Sequence, residues 1–150
     1  MKKSILGVLG LSAAAAVALL AMTFAHAKEP AHGGMDHKQL EMFQDCAKAC
    51  SECQLVCDGC VTHCASMMNE GKKEHATTLK SCQDCADICT AAARILSRGG
   101  PYSKITCQAC ADICAQCASE CEKFPNDPHM VRCAEECRKC EKMCREMAKR

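Results

Sequence analysis

The chain has 150 residues, 19 basic and 18 acidic side chains, and a net charge of +1, so nothing in its charge draws it toward nucleic acid or anionic membrane. It has no Trp and only 3% aromatic residues, which removes the stacking platforms that single-stranded nucleic acid needs. Eighteen cysteines in a chain of single-domain length leave two broad classes, a disulfide scaffold or a metal-binding protein.

The first residues read as an export leader. Lys2 and Lys3 precede an uncharged stretch from Ser4 to Ala25, and Ala25-His26-Ala27 follows as a small-x-small cleavage signal. Residues 1–27 are therefore expected to be a signal peptide cut after Ala27, the alanine-rich stretch being too weakly apolar for a retained anchor. No Arg-Arg pair precedes it, so a general secretory route is expected, with the mature protein periplasmic or secreted. Losing Lys2 and Lys3 leaves a mature net charge near −1 and every cysteine in place. In an oxidising compartment disulfides are the default expectation, and the rest of the sequence has to be weighed against it.

Residues 28–36 carry Pro30, Gly33 and Gly34 and read as a flexible lead-in. Asp36 is a candidate cap for a first helix from about His37 to Asn69, with Gly71 as its stop. A second helix is predicted from about Lys72 to Arg98, closed by Gly99, Gly100 and Pro101. The third runs from about Tyr102 to Phe124. Pro125-Asn126-Asp127-Pro128 breaks the chain, with Asp127 as cap and Pro128 at the first position of a fourth helix reaching about Lys149. No run of period two suggests a strand. The expected fold is all-α, an antiparallel up-down-up-down four-helix bundle over residues 37–149 with a cysteine-lined core. Gly59 interrupts the first helix, where its missing side chain is expected to admit a close neighbour.

The cysteines recur at alternating steps of three and four. They stand at Cys46, Cys50, Cys53, Cys57, Cys60 and Cys64, then at Cys82, Cys85 and Cys89. The pattern resumes at Cys107, Cys110, Cys114, Cys117 and Cys121, and again at Cys133, Cys137, Cys140 and Cys144. That spacing puts side chains on one helix face, so the stripe that ordinarily holds leucine holds thiol. Leu40, Phe43, Ile88, Ile95, Leu96, Ile105, Ile113 and Val131 remain to supply ordinary packing.

Three chemistries compete for these thiols. Residues three or four apart on a helix have Cβ atoms about 5–6 Å apart, wider than the roughly 3.5–4.5 Å of a disulfide. Bridges within a stripe are thus strained, while bridges between helices stay open. Zinc in a Cys₄ site carries a net charge of −2, and several such sites stacked in a dry bundle would bury uncompensated charge. Iron–sulfur ligands come from loops and often end in Cys-Pro, whereas no cysteine here precedes proline. Copper(I) is soft, monovalent and content with two or three thiolates, which can bridge neighbouring ions. Equal numbers of thiolate and copper(I) are neutral, which suits a buried core. Many Cu(I) ions per chain, held by all eighteen cysteines, is the preferred reading; a disulfide-stapled structural or redox bundle of the cell envelope is the alternative. No catalytic base pairs with a nucleophile, so no enzyme is expected.

In an up-down bundle the end of helix one, the start of two, the end of three and the start of four share one mouth. His63, Met67, Met68, His75, His129 and Met130 gather there as candidates for metal intake, since thioether and imidazole hold copper more weakly than thiolate. The opposite end collects Met42, Phe43, Leu96 and Tyr102 and is expected to be an apolar plug.

Repeated CxxxC stripes on four helices behind an export leader resemble the bacterial copper storage proteins, and the resemblance spans roughly His37 to Lys149. It implies a core filled with copper(I) on cysteine thiolates, intake at a Met- and His-lined end, and assembly into homotetramers. The function expected on that basis is copper(I) storage or sequestration, serving detoxification or supply. Copper chaperones or copper enzymes would be its partners.

Overall fold

The computed structural model describes residues 36–150; the expected signal peptide and nearly all of the lead-in lie outside them. The helices are α1 (His37–Asn69), α2 (His75–Leu96), α3 (Ser103–Cys121) and α4 (Pro128–Ala148). Among the described residues there is no strand, and no helix is long and apolar enough to cross a membrane.

Local chemistry sets the ends. The Asp36 carboxylate accepts from the Gln39 backbone N–H at 2.7 Å, and Asp127 accepts from the His129 N–H at 3.0 Å with Pro128 at the first turn of α4. After α1 the chain reverses through Gly71 at φ +89°, a left-handed backbone that disfavours any side chain. After α2, Gly99 at φ +58° lets the Gly99 and Gly100 N–H groups donate to Leu96 and Ile95 carbonyls. Helices α2 and α3 are each a few residues shorter than the sequence suggested, because 72–74, 97–98, 102 and 122–124 are spent on these turns.

Each helix packs on two neighbours, α1 on α2 and α4, α3 on α2 and α4. The diagonal pair α2 and α4 meets through its sulfurs, as in Cys85 to Cys137 at 3.9 Å. Beside the stripes, alanines such as Ala86, Ala111, Ala118 and Ala134 are buried, and Ala92 continues the α2 stripe beyond Cys89. The interior is thus mostly two small residue types, thiol facing the axis and alanine methyl beside it, with Leu96, Met130 and Met147 buried toward the ends.

Two sequence expectations about packing need correction. Gly59 faces solvent with nothing within 4 Å of where a Cβ would stand, so it admits no neighbour. Leu40, Ile105 and Val131 are exposed rather than core, Ile105 by 71%. The cysteines take most inward positions of the heptad, and these residues fall on the outer faces. Leu40 has a second reason. The pairings Cys57–Cys133 and Cys46–Cys144 fix the antiparallel register of α1 and α4. That register sets Met42 level with Ala148, so the first turn of α1 projects past its partner.

Candidate metal centre

All eighteen cysteines are buried, none more than 1% exposed, and all are free thiols. The sulfurs of fifteen of them form one connected column. From one end it runs Cys46 to Cys144 (3.8 Å), Cys144 to Cys50 (3.5 Å), Cys50 to Cys140 (3.8 Å) and Cys140 to Cys89 (4.0 Å). It continues through Cys114 (3.6 Å), Cys85 (3.7 Å), Cys137 (3.9 Å) and Cys57 (3.7 Å). Cys133 (3.9 Å), Cys82 (4.0 Å) and Cys121 (3.9 Å) complete the path. Cys53, Cys110 and Cys117 branch from it at 3.7–3.8 Å. A disulfide needs about 2.05 Å between sulfurs, so these are non-bonded neighbours.

Groups of four sulfurs lie within 4.8 Å of one another: Cys50, Cys110, Cys140 and Cys144; Cys53, Cys85, Cys89 and Cys114; Cys57, Cys117, Cys133 and Cys137, among others. The groups share members. Cys57 and Cys137 belong both to the last of these and to a group with Cys53 and Cys85. Separate closed tetrahedral sites cannot each own a shared sulfur, whereas bridging thiolates can serve two ions.

The electrostatics fit a cation of low charge. Cys64 is pushed up to about 11, by burial first and then by the negative potential of Cys133 and Asp127. Contacts with neighbouring thiols, Cys117 first among them, push Cys82 and Cys137 up, and burial adds to the rise in both. Eighteen buried thiols packed along one axis cannot all ionise without added positive charge. The protein supplies none: the buried polar side chains among the described residues are His75, Thr78 and Ser103.

At the mouth, His63 Nε2 meets Asp127 Oδ2 at 2.6 Å, and its ring stacks on His129 at 4.5 Å. His75 is 4% exposed, stacks on Phe124 at 4.1 Å, and its Nδ1 has no hydrogen-bond partner. The Met130 sulfur lies 3.9 Å from Cys64 Sγ, and Cys60 Sγ donates to the His129 carbonyl at 3.4 Å. Met67 accepts from the Lys72 ammonium at 3.2 Å. Met68 is exposed and makes none of these contacts.

Two mouth residues escaped the sequence reading. Thr78 fills the stripe position between His75 and Cys82, is 1% exposed and leaves its hydroxyl unpaired; the register alone would have found it. Asp127 was visible as a helix cap, but its pairing with His63 spans 64 residues and has no local signal. At the far end Leu96 is buried and Phe43 half-buried, but Tyr102 is 68% exposed and belongs to no plug.

A four-helix bundle with a continuous thiol axis and imidazole and thioether at one end defines a class, the multi-ion soft-metal binders. The comparisons narrow it. The copper storage protein family model matches residues 36–149, and the chain belongs to that family. Among solved structures, it is similar to the Cu(I)-bound copper storage protein BsCsp3 at 32% identity and TM-score 0.65, covering 71% of this chain and 98% of that one. A cytosolic copper storage protein from Streptomyces lividans carrying five coppers matches at 34% identity and TM-score 0.68, covering 74% and 95%. The Streptomyces lividans protein loaded with 10 copper equivalents matches at 34% and 0.68, covering 78% and 89%. No curated protein matches the chain significantly.

Proposed function

We propose that this protein stores copper(I), binding many ions along its thiol column and releasing one proton for each thiol that becomes a ligand. The observation that carries this is the unbroken path of sulfurs at 3.5–4.0 Å, with no Lys or Arg among the described buried residues. Two sulfurs on opposite sides of a soft ion, each near 2.3 Å as thiolates lie from such metals, stand at most about 4.6 Å apart. Small side-chain adjustments therefore suffice to load the column. The Cu(I)-bound state of BsCsp3 and the copper-loaded Streptomyces lividans protein support the same cargo here. The disulfide-stapled alternative has no observation in its favour, and the role is one of binding rather than catalysis.

The histidine end is proposed as the mouth. His75 Nδ1, buried and unpaired, lines one cavity with Met67 and offers a weak ligand to an ion in transit. The leader sequence supports an exported, periplasmic or secreted location, and the family resemblance supports a homotetramer. In that setting the protein would sequester excess copper and supply it to copper chaperones or enzymes.

Titration of the reduced protein with copper(I) against a competing chelator tests the reading. A count near the number of cysteines is expected; two or fewer ions per chain would overturn it.

A further inference from the structure

The end of the bundle away from the histidines holds a feature the storage reading does not use. A half-open cavity of about 310 Å³ lies there, lined by Met42, Met143 and Met147 and floored by Cys46. Glu41, Asp45 and Glu146 face Lys38 and Arg150 around its rim, leaving a slight excess of negative charge. Cys46 is the terminal sulfur of the column, 3.8 Å from Cys144. A soft ion placed in this cavity therefore stands one step from the whole sulfur path.

The distribution of thioethers argues against simple gap filling. The described residues include six methionines; Met67, Met68 and Met130 lie at the histidine end and Met42, Met143 and Met147 at the other. None lies midway, although flexible packing is as useful in the middle of a core as at its ends. Three thioethers around one solvent-connected cavity with a thiol at its floor make a donor set suited to a soft monovalent cation, and the rim carboxylates add negative potential toward it.

We propose that this cavity is a second copper(I) site and port, in which Met42, Met143 and Met147 exchange the ion with Cys46, so that the column opens at both ends. The proposal rests on the copper-storage reading. The exchange is a ligand substitution with no redox change. Bonds from copper(I) to thioether sulfur break as one to Cys46 sulfur forms, and the thiol proton leaves to water in the cavity. Release reverses these steps.

The test uses the full reduced chain with methionine methyl groups labelled with carbon-13. Copper(I) is added while thiolate-to-copper absorption is followed. The Met42, Met143 and Met147 methyl resonances are expected to shift together once the thiols approach saturation. Absorption that saturates while these three methyls stay fixed overturns the second port and leaves storage intact. Absorption that never develops overturns storage, and this port with it. A second measurement uses Met42→Leu/Met143→Leu/Met147→Leu, a volume-conserving change, in a His63→Ala/His129→Ala background that weakens the other mouth. With helical circular dichroism unchanged, withdrawal of copper by a chelator is expected to slow roughly tenfold, the scale of losing supporting ligands at a metal site. An unchanged rate overturns the proposal.

Discussion

Replacing Cys137 with alanine tests whether the thiols act as one column or as independent sites. The Cys137 sulfur sits within 4 Å of Cys53, Cys57 and Cys85, and the residue is fully buried. In the metal-free protein, removing a group about the size of a methylene forfeits about 0.8 kcal/mol of burial. The hole left, roughly 20 Å³, adds about 0.5 kcal/mol at ~24 cal/mol per Å³. A loss of about 1.3 kcal/mol lowers Tm by roughly 5 °C in a domain of this size. The larger effect falls on copper. Cys137 is shared by the group with Cys53, Cys57 and Cys85 and the group with Cys57, Cys117 and Cys133, so its loss opens both. Copper capacity is expected to fall by about two ions, one for each group opened. The control is Cys60→Ala near the mouth, where the sulfur hydrogen-bonds the His129 carbonyl. It removes the same number of thiols but is expected to cost at most about one ion. Thermal melts of the metal-free variants and chelator-competed titrations measure both quantities. Equal copper losses from the two variants would refute the argument from shared sulfurs.

Three further outcomes follow from particular residues. The folded-state pKa of Cys64 is raised to about 11 from 9.0, so the stability it contributes is fully present below pH 9 and is lost as pH rises through 11. Alkaline melts of the reduced metal-free protein should show that decline, and Cys64→Ala should reduce it. Asp127→Ala removes both the cap of α4 and the partner of His63 and should cost about 1–2 kcal/mol in denaturant unfolding at neutral pH. Burial works against the Asp127 carboxylate, but hydrogen bonds from His63 and the α4 backbone outweigh it and hold its pKa below the usual value. Its contribution should therefore vanish as pH falls below about 4. Gly71→Ala forces a side chain into the left-handed region at φ +89° and should lose about 1 kcal/mol in the same assay.

Much of this was legible in one dimension. Steps of three and four fix which face of each helix carries sulfur, because helical periodicity is a local property of the backbone. The same holds for Asp36, Gly71, Asp127 and Pro128, whose capping and turn chemistry acts within a few residues. Helix ends were less legible at 72–74 and 122–124, where Lys72, Lys73, Glu74, Glu122 and Lys123 are good helix formers yet the turns claim the backbone. The sequence also over-assigned the core, since Ile105 and Val131 are apolar but lie out of register with the thiol stripe. An apolar residue is a poor guide to burial when another residue type has taken the inward positions.

By itself, then, the sequence determined four thiol-bearing faces and the number of sulfurs they hold. What the tertiary structure alone decided is which sulfurs become neighbours. The offset between α1 and α4 sets Cys57 beside Cys133 and Cys46 beside Cys144, and that offset depends on how side chains interlock across the bundle. The same packing joins His63 to Asp127 and brings Met42 together with Met143 and Met147 over Cys46. Such contacts link residues some 60 to 105 positions apart in the chain, a distance over which no local pattern carries information.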